Sequence, residues 1–134
     1  MPTANALDTL QQRVDAIEGG YEFLLAYAAQ GLATDEGYAN SEQLRTYLQR
    51  MEEGIAGLDS AFRAVLAGSD AVEQFEPFLQ VLARDAEAAR AALRIVSSRT
   101  GVSSQLVDNL NASIHVRAML TDLFLLDEAV KTLK

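Results

Sequence analysis

Residues 40–68 read NSEQLRTYLQRMEEGIAGLDSAFRAVLAG. Apolar side chains recur at Leu44, Leu48, Met51, Ile55, Leu58, Phe62 and Val65, and these steps of three and four line one stripe of a helix. Asn40 and Gln43 have the spacing of a capping box, with Ser41 as the alternative cap, and Gly68 supplies a stop. The stretch therefore reads as one long amphipathic helix. Its stripe sets the pattern sought in the rest of the chain.

Working toward the N-terminus, Leu7, Leu10, Val14, Ile17, Tyr21, Leu24 and Ala28 repeat the same spacing, and Gly31 is the next stop. Gly19-Gly20 interrupts good helix formers at about 1 kcal/mol each relative to alanine. The helix is expected to run through the pair, with a neighbouring backbone close by. Residues 31–40 (GLATDEGYAN) lose the periodicity and read as a loop.

Toward the C-terminus, a third stripe runs Val72, Phe75, Leu79, Leu82, Ala86, Ala89, Leu93 and Val96, with Asp70 and Glu73 placed to cap it reciprocally. Pro77 permits either a short turn followed by a helix from Pro77 or one bent helix. A fourth segment begins near Ser103 or Ser104 and runs through Leu106, Val107, Leu110, Ile114 and Met119 to Leu133. Its apolar face is too wide for one stripe, above all after residue 115. These four segments predict an all-α, antiparallel up-down-up-down four-helix bundle with coiled-coil-like packing, formed by a single domain over residues 1–134. A hairpin-swapped dimer would use the same stripes.

Composition narrows the function classes. Eleven basic against nineteen acidic side chains give a net charge of -8, which opposes nucleic-acid backbones and anionic lipid surfaces. There is no cysteine, which removes disulfides, thiolate nucleophiles and thiolate metal sites. The opening MPTANALDTLQQR lacks a basic leader followed by an apolar core, and the most apolar window, 116–126, is too short for a bilayer. A cytoplasmic location is the resulting expectation.

Segments one and four carry apolar side chains beyond their stripes: Phe23 and Tyr27 in the first, Met119, Leu123 and Phe124 in the last. Such a surplus suggests an interface, with a homodimer or another helical protein as partner. The competing expectation is a generously packed monomer core.

Polar candidates stand out against this apolar background. If the ends of antiparallel segments align, residue numbers at one height sum to roughly 138 between segments one and four and roughly 72 between one and two. Glu22, Arg50 and His115 then share a height. Converging, they would form a carboxylate anchor, an anion clamp and a group titrating near neutral pH. The alternative is a polar triad that fixes helix register. Asp122, isolated within AMLTDLFLL, is a fourth candidate anchor, for a ligand or across an interface.

Specific catalytic signatures are lacking. One histidine and no Glu-x-x-His rule out the di-iron bundle pattern, and there is no HExxH, phosphate loop, dinucleotide fingerprint or EF-hand. No metal or cofactor is called for. Ser97, Ser98 and Thr100 with Arg94 and Arg99 could gather an anion, although such residues also serve simply as helix caps. The acidic stretch 34–37 could meet a basic partner. The leading expectation is a noncatalytic interaction, adaptor or assembly factor. The second is a small-molecule binder with a pocket against Phe75, Phe78 and Leu82 and a Glu/Arg/His anchor.

Overall fold

The computed structural model describes residues 4–37 and 41–133. These form six helices: α1 (Ala4–Ala28), α2 (Ser41–Ile55), α3 (Leu58–Leu66), α4 (Val72–Ser97), α5 (Ser104–Ala112) and α6 (Ile114–Lys131). The all-α expectation holds. The four-helix bundle and its coiled-coil-like packing do not, because two of the four expected helices are each divided. The proposed cap at Asn40 lies outside the described residues.

The first division falls inside the opening stretch. Gly57 adopts φ 69°, a left-handed conformation that a helix interior does not contain and that glycine takes without a Cβ penalty. Arg13 of α1 supplies donors for the carbonyls freed at the elbow. Its Nη1 lies 3.2 Å from the Gly54 oxygen and 3.4 Å from that of Glu53, and it also donates to the Ala56 oxygen. Ile55 and Leu58 remain three residues apart and both buried, so the stripe crosses the elbow without a change of spacing. Periodicity alone therefore reads two helices as one.

The second division is at Ser113 (φ -58°, ψ 128°), which ends α5 and starts α6. Its amide donates to the Leu110 oxygen (3.0 Å), and its hydroxyl accepts from the His115 amide (3.2 Å). An unbroken helix would carry the Val107 and Leu110 face onto Ile114. Instead Ile114 is 75% exposed and Val116 is buried. The apolar face that looked too wide for one stripe is two stripes out of phase.

Elsewhere the local readings hold in part. α1 passes through Gly19-Gly20 unbroken, but the close neighbour is a side chain: a Cβ on Gly20 would lie 2.9 Å from Cβ of Met51. The tight backbone approach is at Gly54, where a Cβ would sit 3.2 Å from the Arg13 oxygen. Gly31 and Gly68 have positive φ at the ends of α1 and α3. α4 is continuous from Val72, with Pro77 in its second turn, where the carbonyl left unpaired belongs to exposed Glu73. Ser69, rather than Asp70, serves its start, accepting from the Ala71 amide at 3.1 Å. α1 packs on α2, α3 and α5, while α4 packs on α2, α3, α5 and α6. A single core of aliphatic side chains with Phe62 and Tyr27 lies between them.

Candidate interaction face around α6

The residues singled out from sequence separate into three groups. Glu22, Arg50 and His115 are all exposed, and no hydrogen bond or ion pair described in the structure joins them. The estimate of height is supported by Asn111, whose amide donates to the Leu24 oxygen at 3.1 Å, and by Gly20 against Met51. Direction is what separates the three side chains.

Tyr27, Met119 and Leu123 are fully buried. Tyr27 donates its hydroxyl to the Val102 oxygen at 2.6 Å, so its area and its polar end are both used inside the chain. A substitution there reads the core. Phe23 is half-buried, stacked on Tyr47 with ring centroids 4.5 Å apart and on Tyr27 at 6.5 Å. Phe124 alone of these five is exposed, at 44%.

A polar centre that sequence reading passed over lies where the 31–40 loop meets the α4–α5 connection. Asp35 is buried and accepts from Val102 N (2.8 Å), Ser41 Oγ (2.8 Å) and Arg45 Nε and Nη2 (3.1 and 3.2 Å). Burial pushes this carboxyl up, but the bonds from Arg45, Val102 and Ser41 together outweigh it and hold Asp35 below the usual carboxylate range. Arg45 also donates to the oxygens of Ser97 (2.9 Å) and Thr100 (3.1 Å). Arg94 lies 3.3 Å from Glu52, and Ser98 Oγ donates to the Ile95 oxygen at 2.9 Å. Most of the groups suggested as an anion site are thus occupied within the chain. A neighbouring knot joins Ser104 to α1: its hydroxyl donates to the Tyr27 oxygen at 2.7 Å and accepts from the Leu32 amide at 2.9 Å.

Asp122, by contrast, is buried (7% exposed) without such company. Its Oδ2 finds no donor, and its neighbour across the helix interface is another carboxyl, Asp85 of α4. Burial, then the hydrogen bond and charge of Asp85, raise the Asp122 pKa to about 7. The raised value is what a proton shared between the two carboxyls would produce.

The surroundings of this pair are apolar and open. Near-equal steps along the antiparallel helices bring Val81 level with Leu125 and Ile95 level with Ile114. Ile95, Ile114 and Leu125 are 62%, 75% and 58% exposed, and half-buried Ala88 and Ala118 floor the seam between them. Arg84, next to Asp85, is exposed and makes no described ion pair. On the other flank of α6, Leu7, Leu10 and Gln11 of α1 face Asp127, Val130 and Lys131 across a shallow groove of about 220 Å³.

The other described pockets, about 320 to 370 Å³, are also open to solvent, and none is lined by Phe75, Phe78 or Leu82. Among the described residues no group of three or more His, Asp or Glu could hold a metal ion, and Glu76 is paired with Arg63 at 2.8 Å. No helix among the described residues is long and apolar enough to cross a membrane. No family model, curated protein or solved structure matches the chain.

Proposed function

We propose that this protein is a noncatalytic interaction or assembly module that docks a protein partner against the flanks of α6. The observation carrying this reading is the concentration of open apolar surface on one helix: Ile114, Phe124 and Leu125 are all exposed there, and exposed Ile95 of α4 is level with Ile114. Isolated exposed aliphatics are ordinary, whereas three large apolar side chains left open on one helix support an association surface. The face differs from the one expected at first, because Tyr27, Met119 and Leu123 serve the core.

The test is site-specific photo-crosslinking in cells. A photoreactive side chain at position 124 or 125 is expected to give discrete protein adducts, while the same group at exposed Thr46 or Gln105 gives few. Equal yields at all four positions would remove the reading.

A further inference from the structure

We infer that the buried Asp85–Asp122 pair makes the seating of α6 on α4 respond to pH: the helix is held while the pair keeps a proton, and it swings away about Ser113 once both carboxyls ionise. The inference concerns how α6 is attached and stands apart from the interaction role proposed above.

Geometry at the helix interface supplies the first half. Asp122 is 7% exposed, one of its oxygens finds no donor, and the group it meets across the interface is half-buried Asp85. Two carboxyls can hydrogen-bond only while one of them carries a proton. With that proton gone, two like charges face each other away from water, and nothing offsets the cost of burying them. A cation would relieve it, but none faces the pair. On α4, Arg84 is exposed, Arg94 pairs with Glu52, and Arg90 pairs with both Glu52 and Glu87. On α6, Arg117 and Glu128 are exposed, while Lys131 pairs with Asp127. The charged residue of α5, Asp108, is exposed, as are Asp8, Asp15 and Glu18 of α1, and Arg13 is committed to the α2–α3 elbow. Among the described residues, Asp85 is the one charge that acts on Asp122.

The attachment of α6 supplies the second half. The helix packs chiefly on α4 and less on α5. Its start is closed locally: the Ser113 hydroxyl accepts from the His115 amide, and the Ser113 oxygen accepts from the Arg117 amide at 3.0 Å. α6 can therefore leave α4 without unwinding its own first turn. Release uncovers Met119, Leu123 and Leu126, whose burial keeps the released form a minor one at every pH. The acid pair sets how minor. In the released form both carboxyls meet water and ionise in the ordinary range, whereas docked Asp122 holds its proton up to about 7. Release thus grows as pH rises above the ordinary carboxylate range and levels off above about 7.

Native-state hydrogen exchange at pH 5 and pH 8, corrected for the intrinsic pH dependence of amide exchange, tests the inference. The opening equilibrium of α6 is expected to rise by roughly tenfold or more between the two, while that of α2 rises far less. Asp122→Asn should remove the rise, and Asp85→Asn should shrink it. A rise shared equally by α1, α2 and α6 assigns the pH dependence to unfolding of the whole chain and overturns the release of α6. A rise in α6 that survives Asp122→Asn overturns the role of the pair. If Asp122→Asn does not fold, Asp85→Asn decides, and an undiminished rise there overturns the same role.

Discussion

Asp35 and Asp122 are both buried, yet the first accepts hydrogen bonds from Ser41, Arg45 and the Val102 amide while the second faces another carboxyl. The donors around Asp35 come from two separate stretches of chain, the start of α2 and the α4–α5 connection, and each carboxylate oxygen is satisfied. Its region is a closed polar knot that fastens two connections and the start of α2. Around Asp122 the neighbours are aliphatic and open to water, and one oxygen is left without a donor. The same residue type thus acts as a fastening in one place and as an incomplete contact in the other. What distinguishes them is the supply of donors, since burial is common to both.

The comparison breaks most severely at the knot. Asp35→Ala should lose about 3 kcal/mol of stability at pH 7, read by chemical denaturation, because it strands the Val102 amide and removes the carboxylate partner of Arg45. That figure is set below a fully buried pair because the Arg45 side chain is 31% exposed. Arg45→Lys should cost about 2 kcal/mol, since an ammonium cannot hold the forked contact to Asp35 and also reach the oxygens of Ser97 and Thr100. Tyr27→Phe should cost about 1 kcal/mol by leaving the Val102 oxygen without its donor.

At the seam the sign reverses. Asp122→Asn should raise monomer stability at pH 8 by about 1 kcal/mol, because an amide donates to Asp85 and carries no charge to bury. The pH dependence sharpens the contrast. The lowered pKa of Asp35 means that its contribution is present above the ordinary carboxylate range and is lost as pH falls through the folded value. The raised pKa of Asp122 means that its contribution is fully present below the ordinary aspartate value of 3.8 and is lost as pH rises through about 7. Denaturation midpoints at pH 5 and pH 8 should therefore lie closer together in Asp122→Asn than in the wild type. A wider gap would contradict the shared proton.

Much of the helical content could be read from the chain, because the stops at Gly31 and Gly68 and the cap at Ser103 are local signals. Heights were legible too, since helical rise is uniform and Asn111 does reach Leu24. The elbows were not. At Gly57 the three-residue step from Ile55 to Leu58 is the same on either side of a break, and at Ser113 the phase shift looked like an overly broad face. Glu22, Arg50 and His115 illustrate the related limit of counting: height follows from residue number, but direction turns by about 100° per residue and is set by packing. Asp122 could be noticed as an isolated charge. Its companion Asp85 could not, because it looks like any other acid on an alanine-rich helix until α4 and α6 are laid together. Asp35 hid for a similar reason, with one of its donors, Val102, 67 positions away.

The Arg13 guanidinium at the α2–α3 elbow has a consequence for how the molecule comes apart. One side chain on the first helix closes the carbonyls of another element, so fraying α1 also uncaps the elbow. In hydrogen exchange, the amides of α1 and those flanking Gly57 should open together with one free energy. The Ser113 elbow is capped by its own hydroxyl rather than by a side chain of α1, which leaves its cap independent of that fraying.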